Sequence, residues 1–187
     1  MRRVRFWFFS SVVSILMTGS VSADRVVYST IDDSVNLTAH TGKEFEFDSL
    51  KGKVALIYFG FTYCPSICPM ELTHISQALD ALPDDKVIGL FITVDPERDT
   101  VQKLSTYAPF FHARIIGLTG ANKEIDKAAK LFDVSYRRIA QGDSYTFDHS
   151  SNIIVLNQLG EVKALVPFGS NYEHLVKLVQ GVLSDNG

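Results

Sequence analysis

Val54-Ala55-Leu56-Ile57-Tyr58-Phe59-Gly60-Phe61 is an apolar run with no polar interruption, bounded by Leu50-Lys51-Gly52-Lys53 on one side and by a segment carrying both cysteines on the other. A strand that alternates apolar and polar residues needs cover on one face only. A continuous apolar strand needs cover on both. Val87–Val94 repeats the pattern and closes on Asp95-Pro96. Two such strands call for a largely parallel sheet with helices on both faces.

The helices are legible at the right places. Pro69–Leu82 carries Leu72, Ile75, Leu79 and Leu82 at helical spacing and ends at Pro83-Asp84-Asp85. Thr100–Ala108 has a helical pattern, with Thr100 as N-cap and Pro109 as stop. Asn122–Phe132 aligns Ile125, Ala128, Ala129 and Phe132, and Tyr172–Leu183 is a closing amphipathic helix. Arg114–Leu118 and Ser135–Ala140 read as short strands, and Gln141–Asn152 as a polar loop. Val35–Ala39 with Glu44–Phe47, and Ile153–Asn157 with Val162–Pro167, read as hairpins around Gly42 and Gly160. The order predicts a single α/β domain of thioredoxin-like type: a central, mostly parallel sheet, helices on both faces and an added N-terminal hairpin.

The first residues read as an address. Arg2, Arg3 and Arg5 precede a largely apolar stretch from Phe6 to Met17, followed by Thr18-Gly19-Ser20-Val21-Ser22-Ala23. This is the pattern of a secretory signal peptide over residues 1–23, cleaved after Ala23, rather than a retained anchor. The domain is then 24–187, soluble and working in the periplasm or another extracytoplasmic compartment. The chain has 187 residues and a net charge of −3, and cleavage removes arginines but no acids. Such a balance excludes an electrostatic nucleic-acid binder.

Cys64 and Cys68 are the only cysteines, too few for a disulfide scaffold or a four-cysteine zinc site. They sit in Thr62-Tyr63-Cys64-Pro65-Ser66-Ile67-Cys68-Pro69, between the end of a strand and the start of a helix. Ligands bind outside the carboxyl ends of parallel strands, and a helix N-terminus favours thiolate over thiol. Pro69 belongs in the first helical turn, which leaves Cys64 on the preceding loop. Three readings stand. A structural disulfide would close a tiny loop and stabilise little. A redox dithiol would have Cys64 attack and Cys68 resolve, although three residues separate the pair instead of two, and no proline precedes the last hairpin. A soft-metal site would hold Cu(I), which accepts few ligands and prefers sulfur. The Pro-Thr-Cys spacing of a peroxidase is absent.

Asp148-His149-Ser150 enters the last hairpin from the same end of the predicted sheet. His149 is therefore the candidate third donor, since two thiolates and an imidazole suit trigonal Cu(I) and also hold Cu(II). A nearby acid would fix the imidazole tautomer; Asp95 is the positional candidate and Asp148 the next. Met70 is the only methionine past the leader, which excludes a methionine-rich copper surface.

These stretches resemble the Sco/SenC proteins, thioredoxin-fold copper chaperones. The resemblance rests on Lys51-Gly52-Lys53, Phe59-Gly60-Phe61-Thr62-Tyr63-Cys64-Pro65, Cys68-Pro69-Met70-Glu71-Leu72, Val94-Asp95-Pro96-Glu97-Arg98-Asp99-Thr100, Gly117-Leu118-Thr119-Gly120 and Asp148-His149-Ser150, in family order. It implies that Cys64, Cys68 and His149 are copper ligands and that Asp95 is the family acid close to that histidine. It further implies a partner in cytochrome c oxidase subunit II, whose dinuclear copper centre such proteins load or whose cysteines they reduce. A thiol reductant or a copper donor would be a second partner. Ser66 stands where many members carry an acid, which alters local charge but removes no ligand. The alternative activity is that of a thiol–disulfide oxidoreductase acting on a copper acceptor or another extracytoplasmic target.

Overall fold

The computed structural model describes residues 35–185; the expected signal peptide lies outside them. Its elements are β1 (Leu37–Ala39), β2 (Glu44–Phe45), β3 (Val54–Gly60), α1 (Ile67–Asp80), β4 (Val87–Thr93), α2 (Val101–Phe111) and β5 (Ile115–Thr119), then α3 (Asn122–Leu131), β6 (Tyr136–Gln141), β7 (Ser144–His149), β8 (Ile153–Leu156), β9 (Val162–Val166) and α4 (Tyr172–Ser184). None of the described helices is long and apolar enough to cross a membrane.

Seven strands form one sheet in the order β2-β1-β5-β4-β3-β8-β9. The pairs β3–β4 and β4–β5 are parallel, while β1 joins β5 and β8 joins β3 in antiparallel sense. Every residue of β3 is buried, as its unbroken apolar run requires. Successive side chains of a strand point to opposite faces, and the two faces of β3 and β4 meet different helices. Gly89 lies so close beneath α1 that a Cβ there would stand 3.3 Å from Ile75 Cγ2, and one at Gly117 would stand 3.1 Å from Ala108 Cβ of α2. On the opposite face, Phe59 packs on Phe132 at the end of α3, with ring centroids 5.9 Å apart. Arg114, at the start of β5, donates to the carbonyl oxygens of Leu79, Leu82 and Pro83. It thereby pairs acceptors that the C-terminal turn of a helix leaves open.

Two expectations need correction. Residues 141–152 are not a polar loop: β6 and β7 pair as a separate antiparallel hairpin, with Gln141 opposite Ser144 across a two-residue turn. Gly142, at φ +58°, takes the left-handed position that such a turn demands. Aromatic residues alternate with polar ones along β7, so one face of the hairpin is apolar enough to dock. Pro109 does not stop α2 either. The helix runs on to Phe111, because a proline in helical φ costs one hydrogen bond and a local clash without forbidding the next turn. Thr100 does cap this helix, its hydroxyl accepting from Lys103 N.

His40 closes the edge of β5. Its N–H donates to Gly117 O at 2.7 Å, and its ring Nδ1 accepts from Gly117 N at 2.9 Å. Burial lowers the imidazole pKa below 6.5. The folded chain thus holds His40 neutral, whereas the unfolded chain protonates it below about pH 6.5. The stability His40 contributes is complete above that pH and is lost as pH falls toward the lowered value. His40→Gln is therefore expected to cost more stability at pH 7.5 than at pH 5, measured by denaturant unfolding of both proteins at each pH.

Candidate metal centre

β3 ends at Gly60, and the chain turns through Phe61-Thr62-Tyr63 into the cysteine segment. Asp99 holds that turn. Its carboxylate, with no exposed surface, accepts from Thr62 N at 2.9 Å, Thr62 Oγ1 at 2.6 Å and Thr93 Oγ1 at 2.7 Å. The loop after β3 is thereby pinned to the end of β4. Burial raises the Asp99 pKa, and the Thr62 and Thr93 hydrogen bonds oppose the rise.

Cys64 is half-buried on the loop, and Cys68 is fully buried in the first turn of α1; the two are unbonded thiols. Ser66, the N-cap, makes no side-chain cap. Cys64 Sγ takes over that task, accepting from Cys68 N at 3.3 Å. Cys68 rests directly on the sheet because residue 60 is glycine: a Cβ there would come 3.0 Å from Cys68 Sγ and 2.9 Å from Phe91.

The third donor arrives on the hairpin. Tyr145, Phe147 and His149 alternate along β7 and so share one face. Phe147 and His149 pack edge-on against Phe61, with centroids 5.6 and 5.9 Å away, and His149 also meets Tyr58 at 6.2 Å. These contacts bring His149 Nε2 to 3.6 Å from Cys68 Sγ. His149 Nδ1 lies 2.9 Å from the carbonyl of Ser150. With a metal on Nε2, the ring proton would sit on Nδ1 and be donated there.

The two sulfurs are electrostatically unequal. The Cys68 thiol hydrogen-bonds to Cys64, and this is the largest influence drawing the Cys64 pKa down to about 4; His149 and the N–H groups of Cys68 and Ser66 add to it, against partial burial. The same hydrogen bond, together with burial, pushes Cys68 up. The opposed shifts favour the proton on the inner sulfur and make the outer sulfur the better nucleophile.

The structure thus brings Cys64, Cys68 and His149 to one rim, at the carboxyl end of β3. No hydrogen bond joins Asp95 to the imidazole among the described residues. Asp95 is buried, its Oδ2 accepts from Arg98 Nε, and its Oδ1 accepts from the Tyr145 hydroxyl at 3.0 Å. The partner of His149 Nδ1 is the neighbouring Ser150 carbonyl, because the end of β7 turns its own backbone toward the ring. Asp148 points away and pairs with Arg137 at 3.4 Å. The sequence reading assigned no task to Asp99, Arg98 or Tyr145. The alternation Tyr145-x-Phe147-x-His149 after a Gly-Asp turn was the available signal for the last of these.

A thioredoxin-like α/β body with two thiols and an imidazole at the carboxyl edge of its sheet defines a class of dithiol and metal-handling proteins. Residues 27–184 match the SCO1/SenC family, and the chain belongs to it. Protein SCO1 homolog 1, mitochondrial, from Arabidopsis thaliana is 38% identical over 154 residues, covering 80% of this chain but only 45% of that protein. The crystal structure of Arabidopsis thaliana ScoI with copper bound superposes with a TM-score of 0.75 at 35% identity, over 80% of this chain and 95% of that one. BsSco, described with a disulfide switch and as a member of the Sco family of cytochrome c oxidase assembly proteins, has a TM-score of 0.63 at 25% identity, over 81% and 92% of the two chains.

Two outcomes follow from the site. In the reduced, metal-free protein iodoacetamide is expected to label Cys64 and spare Cys68. The rate should stay near its plateau from pH 8 down to about pH 5, where an ordinary thiol, with a pKa near 8.5, is almost fully protonated; peptide mass mapping across pH reads both. Gly60→Ala is expected to cost about 1–3 kcal/mol through overpacking under Cys68 and Phe91, measured by denaturant unfolding.

Proposed function

We propose that this chain is an extracytoplasmic copper chaperone that holds one copper ion through Cys64 Sγ, Cys68 Sγ and His149 Nε2 and passes it to an acceptor during cytochrome c oxidase assembly. The acceptor we infer is the dinuclear copper centre of subunit II. One observation carries the reading: an imidazole nitrogen stands 3.6 Å from a buried sulfur whose partner sulfur is four residues away. Bonds of about 2.0 Å to nitrogen and about 2.3 Å to sulfur, meeting at about 120°, span about 3.7 Å. The Cys68–His149 pair therefore already has the separation of two ligands of a trigonal ion. Among the described residues, no three such side chains are yet gathered closely enough to enclose a metal. The copper-bound Arabidopsis relative supports the choice of metal.

The donor set suits delivery. Two sulfurs hold Cu(I) without the ring, while Cu(II) draws more on the nitrogen. The half-buried Cys64 can be exchanged for an incoming thiolate while Cys68 still holds the ion. Acceptor thiolates would replace the ligands one at a time, and no enclosed cage has to open.

The inequality of the thiols favours a second reading, that of a thiol–disulfide reductase. Cys64 thiolate would attack a disulfide of the acceptor, releasing one acceptor thiolate and forming a mixed disulfide. Cys68, losing its proton, would then attack Cys64 and release the second. The chain ends oxidised and needs a dithiol partner to return its two electrons. The disulfide switch described for BsSco supports this reading.

His149→Ala tests the copper site. Its Cu(II) affinity is expected to fall steeply and its visible thiolate-to-copper band to change, while its Cu(I) affinity falls much less. Unchanged Cu(II) affinity and spectrum would remove the histidine from the site. Absence of binding of either copper state by the reduced wild-type chain would leave the reductase reading.

A further inference from the structure

The hairpin that carries His149 is not part of the main sheet. β6 and β7 pair only with each other, and the bond from Ser150 N to Ser135 O at the base closes the hairpin on itself without tying it to the sheet. Side chains hold it to the body: Phe147 and His149 pack on Phe61, the Tyr136 hydroxyl donates to Asp126, and a further group converges on Arg98. Its Nε donates to Asp95 Oδ2, and its Nη1 donates to the backbone carbonyl of Tyr145 at 3.1 Å. Its guanidinium lies 4.5 Å from the ring centre of Tyr63, the neighbour of Cys64, and 3.8 Å from that of Tyr145, on the strand of His149. Tyr145 returns to the same carboxylate through its hydroxyl, 3.0 Å from Asp95 Oδ1. Arg138 stacks 3.4 Å from the centre of the Tyr145 ring and pairs with Glu97 at 3.2 Å.

We infer that Arg98 and Tyr145 form a clamp, anchored on Asp95, that sets the position of His149 against the cysteine pair. The clamp joins the two halves of the site. One aromatic face of the guanidinium contact belongs to the loop of Cys64, the other to the hairpin of His149. The bond to the Tyr145 carbonyl also fixes the rotation of β7 about its own axis, and that rotation decides whether the face of Tyr145, Phe147 and His149 points at Phe61 and Cys68 or away. Asp95 therefore acts on the histidine through two intermediaries and not by contact. Arginine suits the task because its planar fork stacks and donates together, which an ammonium cannot do.

The inference rests on the copper site proposed above, and its test separates the two. Arg98→Ala, Arg98→Lys and the double variant Arg98→Ala/His149→Ala are compared with the wild type and with His149→Ala. In the metal-free proteins, amide exchange of residues 144–149 is expected to accelerate by about tenfold or more in Arg98→Ala, with exchange of β3 and β4 unchanged. In the loaded proteins, Arg98→Ala is expected to weaken Cu(II) by about tenfold and Cu(I) by less than about threefold. The double variant should bind Cu(II) no more weakly than His149→Ala, since both substitutions remove the same ligand. Arg98→Lys should behave like Arg98→Ala. Should Arg98→Ala not fold, Tyr145→Phe removes only the hydroxyl, with its contacts to Asp95 and Glu97, and carries the same comparison with a smaller loss. Additive effects of Arg98→Ala and His149→Ala, equal weakening of both copper states, full rescue by lysine, or unaltered exchange of residues 144–149 each overturn the clamp. Loss of the copper reading itself is seen separately, as a wild type indifferent to His149→Ala, and the exchange experiment then still decides whether Arg98 holds the hairpin.

Discussion

A carboxylate that water does not reach holds this structure's working edge together. Asp99 has no exposed surface, yet it accepts three hydrogen bonds from Thr62 and Thr93. A buried acceptor left unpaired costs more than a made bond returns, so such a knot is strongly directional. Two of its donors lie on the loop just before Cys64 and one at the end of β4. The knot thus converts the register of two parallel strands into the position of a thiol. Remove it, and the cysteine loop has little besides side-chain packing to locate it.

Around that knot the two sulfurs and the ring nitrogen are held in different ways. Cys68 is packed in place: it lies in a helical turn, against a glycine, with no exposed surface. Cys64 is on a loop, half in water, and its sulfur substitutes for a helix cap. His149 is on a hairpin that shares no backbone bond with the sheet. The differences in anchoring match those expected of a site that must accept an ion and give it up. One donor is fixed, one is exchangeable, and one is held by a side-chain assembly that can loosen. The acid–base asymmetry follows the same line, since the buried sulfur keeps the proton that the outer one gives up.

Most of the body was legible in the chain because its signals are local. Val54–Phe61 and Val87–Val94 could be strands only if covered on both sides, and the periodic segments that follow them supplied the cover. Thr100 signalled a helix start and the Asp-Asp after Pro83 a helix end. Two elements were misread for a shared reason: composition suggested them, but tertiary contact overrode it. The polar residues of β6 and β7 made residues 141–152 look like a loop, although every second side chain of β7 is aromatic, and Phe147 and His149 dock on Phe61. Pro109 looked like a terminator, but the turn after it is kept in place by the packing of Tyr107 against Phe111.

The chain by itself determined the α/β body, the cysteine pair at the carboxyl end of a central strand, and His149 as the donor able to join it. Each of these depends on residue type and spacing over a few positions, which short-range sterics and burial decide. Only the tertiary structure decided which groups attend the histidine. Asp95 is in the right neighbourhood by position, but Arg98 and Tyr145 claim both of its oxygens, and the carbonyl of Ser150 faces the ring. Which hydrogen-bond partner wins at a buried carboxylate depends on angles and distances among segments some fifty residues apart, and no local pattern encodes those.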